Sequence, residues 1–135
     1  MRVYKILRQA EWQALERDGE LQGSPVDLRD GFVHLSNGAQ VAETAARHFA
    51  GADDLVLLAF EAAALGTALR WEPSRGGALF PHLFRPLRRE EVLWHAPLAW
   101  RDGRHDLPDL TSGGLTSGGP NSGGPNLGGL PSERS

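Results

Sequence analysis

Six consecutive apolar residues, Leu55-Val56-Leu57-Leu58-Ala59-Phe60, constrain the fold more than any other stretch of the chain. A strand exposed on one face alternates apolar with polar residues, whereas one covered on both faces reads as an unbroken apolar run. The run therefore predicts the core strand at the middle of a sheet, with layers packed above and below it. Around it the chain offers short elements. Val3 to Leu7 reads as a strand, and Gln9 to Arg17 as a helix with Trp12 and Leu15 on its apolar stripe and Gly19 closing it. Ser24-Pro25 marks a turn in an irregular loop from Leu21 to Arg29, and Phe32 to Leu35 reads as a second strand. Ser36 or Asn37 then caps a helix over Gln40 to Phe49, in which Val41, Ala45 and Phe49 recur four apart. Ala62 to Leu65 makes a helical turn ended by Gly66, and Leu69 to Glu72 and Glu91 to Pro97 are further strands. Few helices among several short strands give an α+β class: a mixed, largely antiparallel sheet with two main helices packed against it.

The chain has 135 residues, and beyond about Leu110 its character changes. Ser-Gly-Gly at 112 to 114 recurs at 117 and 122, followed by Leu-Gly-Gly at 127. A segment so rich in glycine, serine and proline buries too little apolar surface to offset the entropy of ordering it. The expected organisation is one α+β domain over residues 1–110 and a disordered tail over 111–135.

Zero cysteines exclude a disulfide framework, a thiolate nucleophile and a cysteine-bound metal centre. The polar and apolar alternation of Met1 to Arg8 shows no leader, and no run of about 18 apolar residues occurs, so a cytoplasmic setting without membrane attachment is expected. A net charge of -3 speaks against general nucleic-acid affinity, although Arg85, Arg88 and Arg89 form a local basic cluster. Lys5 is the single lysine.

Two histidine-bearing clusters carry the candidate chemistry. In Asp30-Gly31-Phe32-Val33-His34-Leu35-Ser36, a strand would send Phe32, His34 and Ser36 to one face, where an imidazole and a hydroxyl meet a ligand together. A helix starting just beyond Ser36 adds free backbone N–H groups suited to an anion. Gly76-Gly77-Ala78-Leu79-Phe80-Pro81-His82-Leu83-Phe84 places a second histidine in an apolar run. Between them Glu72 ends a strand and opens into Pro73-Ser74-Arg75-Gly76-Gly77, an arrangement in which a rigid element holds an acid beside a loop. Each has a structural alternative: a hydrogen-bonded core histidine, a helix-capping Ser36, a solvated Glu72 paired with Arg75. A metal would have to be assembled from distant segments, because no His-Glu-x-x-His or His-x-His spacing occurs, and none is expected. His48, His95 and His105 read as structural.

Tyr4-Lys5-Ile6, Trp12, Asp30 to Ser36, Gln40, Trp71-Glu72 and Phe80 to Phe84 together resemble the small bacterial family called domain of unknown function 952, over about Met1 to Leu98. At a greater distance the chain is similar to ADP-ribosyltransferase-like proteins. That similarity implies a split mixed sheet with an NAD cleft between its halves, Lys5 in the first functional place, His34-Leu35-Ser36 in the second and a catalytic Glu72 in the third. The expectation is a cleft for a nucleotide-like or sugar-phosphate ligand, NAD being the implied cofactor. Its reaction would be ADP-ribosyl or phospho group transfer, with Glu72 and His34 as catalytic residues and Lys5, Ser36, Gln40, Arg75 and His82 as ligand-binding ones. The alternative is a non-catalytic ligand-binding or protein-interaction module with structural histidines.

Overall fold

In a computed structural model of the protein, which describes residues 1–110 apart from the Arg75 side chain, the strand expected to be central is central. Residues Met1–His105 form one compact unit; a second begins at Asp106 and is described only as far as Leu110, so the expected tail lies outside the described residues.

The chain opens with β1 (Arg2–Arg8), α1 (Gln9–Asp18), β2 (Glu20–Leu21), α2 (Pro25–Asp30), β3 (Val33–His34) and β4 (Ser36–Asn37). It continues with α3 (Val41–His48), β5 (Leu55–Glu61), α4 (Ala62–Leu65), β6 (Leu69–Pro73), β7 (Leu79–Leu83), β8 (Leu87–Arg88), β9 (Trp94–Arg101) and β10 (Arg104–Asp106). Three sheets result, ordered β10-β9-β5-β1-β4, β3-β7-β6 and β2-β8. Every pairing whose register is described is antiparallel. The fold is α+β as expected, with four α-helices where two main ones were read.

Side-chain alternation explains the layering. Along β1 and β5, Val3 pairs with Phe60, Lys5 with Leu58 and Leu7 with Val56. Val3, Leu7, Val56, Leu58 and Phe60 belong to one buried cluster with Trp12 and Leu15 of α1, Val33 of β3 and Leu83 of β7. One face of the five-stranded sheet thus meets α1 and the three-stranded sheet, and Leu55, Leu57 and Ala59 are buried on the other face. Lys5 is the only polar side chain in the inward row Val3, Lys5, Leu7, and it is 5% exposed.

Two departures from the sequence reading bear on the site. Ser24-Pro25 does not merely turn the chain: proline at the first helical position has the φ that a helix needs and lacks only an N–H that would be free anyway, so it starts α2. The segment Phe32 to Ser36 is not one strand. It crosses from the three-stranded sheet to the five-stranded one at Leu35, whose N–H donates to Pro81 O at 3.0 Å. This carbonyl is the only backbone polar group Pro81 can offer to β3. A hairpin missing from the sequence reading joins β9 to β10 through Asp102 and Gly103, both at positive φ (53° and 79°), the backbone that Asp-Gly favours.

The approach to α2 is tight. Gly23 has a φ of +131°, and a Cβ there would lie 2.6 Å from Asp27 Cβ and 2.8 Å from Asp27 Oδ2. Gly23→Ala is therefore expected to destabilise the protein by about 1–3 kcal/mol through backbone strain and displacement of Asp27. Urea unfolding measures it, and an unchanged midpoint would contradict the crowding.

Candidate functional site

Asp27 organises the site. It stands at the third position of α2, where its Oδ2 accepts the Ser24 N–H at 2.9 Å and closes the helix N-terminus. The same carboxylate serves two other elements. Oδ2 pairs with Lys5 Nζ of β1 at 2.7 Å, and Oδ1 accepts both the backbone N–H of His34 at 3.0 Å and the His34 Nδ1–H at 2.6 Å. Lys5 Nζ also donates to His34 O at 3.1 Å. Burial opposes ionisation of Asp27, but the bond from His34, then the charge and bond of Lys5 and the Ser24 N–H, outweigh it and hold the carboxyl well below the usual carboxylate range.

His34 is occupied on both sides, because its Nε2 lies 3.1 Å from Asp30 Oδ2 while Nδ1 meets Asp27. The Nδ1 contact is a hydrogen bond, and the Nε2 contact brings Asp30 within ion-pair distance of the ring. Asp30 is itself held below the ordinary carboxylate range, chiefly by its hydrogen bond with Arg29.

His82 faces His34 across the β3–β7 pair, their ring centroids 5.5 Å apart and edge to face. Glu72 lies on β6, which pairs Arg70 with His82, so Glu72 is two residues along on the same face. There Glu72 Oε1 accepts the His82 Nδ1–H at 2.8 Å. Phe32 stacks on both imidazoles, at 4.6 Å from His34 and 4.2 Å from His82. Two histidines, each bonded to its own carboxylate, therefore stand side by side on one face of the three-stranded sheet.

They line a cleft of about 670 Å³ together with Lys5, Ser36, Ser74 and Phe80. Volumes of about 300–1,000 Å³ are typical of small-molecule sites. Tyr4, Thr44, His48 and Phe49 also line the cleft, and Arg8 and Arg29 border it. Ser36 Oγ and Thr44 Oγ1 are 3.0 Å apart. Burial pushes the Tyr4 hydroxyl pKa up against the opposing pull of Arg2, which keeps it a neutral donor.

Of the expected site residues, Lys5, His34, Ser36 and His82 come together at the cleft. Glu72 does not line it and stands behind His82. Gln40 is engaged elsewhere: it accepts the Asn37 N–H at 3.0 Å and donates to Leu79 O at 2.8 Å, tying the start of α3 to β7. For Arg75 only the backbone is described. Ser36 does not cap α3, whose preceding turn is closed by Asn37 Oδ1 accepting the Gln40 N–H. His95 stacks on Trp12 at 4.4 Å and His105 Nε2–H donates to Ala52 O at 2.9 Å, whereas His48 borders the cleft. In the basic cluster Arg85 is bidentate on Glu91, at 3.0 and 2.8 Å, and Arg89 lies over the Trp12 ring. Among the described residues no group of three or more His, Cys, Asp or Glu is placed to hold a metal ion, and no helix is long and apolar enough to cross a membrane.

Sequence reasoning passed over Asp27, the residue on which the arrangement turns. A signal existed in Ser24-x-x-Asp27, a serine followed three residues later by a carboxylate, which is the spacing of a helix start.

A small α+β domain with a cleft walled by paired histidines is the class that fold and site define. The chain matches the family described as protein of unknown function (DUF952) over residues 6–95, and it belongs to that family. Its solved relatives include protein CC0527 from Caulobacter crescentus, whose crystal structure is 55% identical with a TM-score of 0.77, covering 79% of this chain and 95% of that one. The solution structure of the same protein gives 54% identity and a TM-score of 0.70 over 77% of this chain and 90% of that one. No curated protein matches the chain.

Breaking a buried ion pair by removing one partner typically costs about 3–5 kcal/mol, and Asp27→Asn should lose that much at neutral pH because it strands the Lys5 ammonium. The pH dependence has a definite sign. A carboxyl depressed in the folded state contributes stability above its unfolded value, about 3.9, and loses it as pH falls from there toward the folded value. Urea unfolding from pH 7 to pH 3 should therefore show wild type losing more stability than Asp27→Asn; parallel curves would contradict the assignment.

Proposed function

We propose that this is a cytoplasmic domain whose cleft binds a nucleotide-like or sugar-phosphate ligand. The observation that carries the reading is the pair His34 and His82, cross-strand neighbours on the wall of an open cleft that the hydroxyl-bearing Ser36 and Thr44 also line. Imidazoles and hydroxyls orient sugar hydroxyls and phosphate oxygens, Phe49 offers aromatic surface to a base, and Arg8 and Arg29, paired with Asp54 and Asp30, border the cleft. The cysteine-free composition suits the compartment.

Transfer of an ADP-ribosyl or phospho group is the reaction class we assign. The distant resemblance to ADP-ribosyltransferase-like proteins supports NAD as the cofactor to test first. Of the four cleft residues Lys5, His34, Ser36 and His82, we assign Ser36 and His82 to direct contact with the ligand and Lys5 and His34 to holding the wall that carries them. Glu72 contributes through His82 rather than by touching the ligand. Lys5 contributes mainly by holding Asp27 and the His34 carbonyl, since both bonds already engage its ammonium.

The rival is a non-catalytic module with structural histidines. One observation favours it: His34 has a carboxylate at each ring nitrogen and therefore no free site of its own. Calorimetric titration with NAD, ADP-ribose, AMP and ribose 5-phosphate separates the two readings. At least one should bind with a Kd below about 1 mM, a free energy of about -4 kcal/mol or better. Ser36→Ala should weaken it about tenfold, the loss of one hydrogen bond to the ligand, at a cost in stability of about 1 kcal/mol for the lost bond to Thr44. No heat from any of the four would sink the reading.

A further inference from the structure

Among the described residues two buried side-chain nitrogens have no protein partner, Trp94 Nε1 and His82 Nε2. Buried polar groups in folded proteins are almost always satisfied, so each needs an account. Trp94 is not a cleft residue; its ring lies 6.0 Å from that of Tyr4. His82 is 5% exposed and lines the cleft.

The two histidines therefore differ in what they have left to give. Both nitrogens of His34 face carboxylates, at 2.6 Å and 3.1 Å. In His82 only Nδ1 is used, on Glu72 Oε1 at 2.8 Å. A carboxylate can only accept, so Nδ1 carries the proton in that bond, and a ring with that single proton has its lone pair at Nε2, the buried nitrogen left without a protein partner. Phe32, stacked on the ring at 4.2 Å, restricts its rotation.

We infer that His82 Nε2 is the acceptor for a hydroxyl of the cleft's ligand, with Glu72 as the positioning residue that fixes the tautomer. The inference rests on the cleft being a ligand site and specifies its chemistry: the ligand presents an O–H donor, such as a ribose hydroxyl, to this nitrogen. It also exchanges the roles expected from sequence, since the group that meets the ligand is His82, and His34 and Glu72 hold the wall in place.

Side-chain ¹⁵N spectra of histidine-labelled protein at pH 7 test it, with AMP and 2',3'-dideoxy-AMP as probes. Ligand-free protein should show His82 protonated at Nδ1 with an unprotonated Nε2. AMP should move the Nε2 resonance, and the dideoxy compound should bind about tenfold more weakly and leave it in place. Glu72 is 40% exposed, so Glu72→Ala should fold, mix the His82 tautomers and weaken AMP about tenfold. A protonated Nε2 in the free protein overturns the inference. So does AMP binding, read by calorimetry, that leaves the His82 Nε2 resonance in place, an outcome that leaves the cleft reading intact. Binding of NAD, ADP-ribose or ribose 5-phosphate that leaves His82 Nε2 unmoved likewise overturns the inference alone, whereas failure of all four compounds to bind at millimolar concentration overturns the cleft reading, and the inference falls with it.

Discussion

A carboxylate removed from water is costly unless its oxygens are filled, and Asp27 is filled from three directions at once. Its side chain has no exposed surface, yet it receives an ammonium from β1, two N–H groups from His34 and one from the start of its own helix. The three donor residues, Lys5, Ser24 and His34, lie ten or more positions apart in sequence. The position of α2 against the sheets, the entry of β3 and the orientation of the His34 ring thus follow from satisfying a single charge. Gly23 is part of the same constraint, since any side chain there would enter the space that Asp27 occupies.

The two carboxylate–histidine pairs are alike in chemistry and unlike in setting. Asp27 is fully buried and His34 is enclosed between it and Asp30, so that pair works as a joint between elements. Glu72 is partly exposed while its histidine is buried, so that pair fixes an imidazole of the cleft wall and leaves its second nitrogen without a protein partner. Aromatic packing by Phe32 binds the two rings into one wall. What we infer for recognition follows from this division: one histidine sets geometry and the other retains an acceptor nitrogen.

Periodicity made the framework legible. The run Leu55 to Phe60, the alternation of β1 and the Trp12, Leu15 and Gly19 signals of α1 all describe local packing demands, and each element lies within a residue or two of its expected place. The motif residues His34, Ser36 and His82 were legible as polar groups in apolar runs, because such groups need a partner or a purpose. Asp27 was not, since an aspartate two residues beyond a Ser-Pro looks like turn chemistry until the burial of Lys5 demands a counter-charge. The crossing at Leu35 was hidden for a similar reason: alternation within Phe32 to Ser36 fits one strand, and only the tertiary bonds of His34 to Asp27 and Leu35 to Pro81 divide it. Glu72 was found by its strand-end position, but its partner is fixed by the register of β6 on β7, which one sequence does not reveal.

The central claim is that Asp27 and Lys5 act as one buried unit on which the histidine wall is built. A double-mutant cycle of Lys5→Met and Asp27→Asn, read by urea unfolding at pH 7, tests it most directly. If the pair is a unit, the double variant loses far less than the two single losses added together, with a coupling of about 2 kcal/mol or more. Single losses that simply add would show two independent side chains and contradict the account.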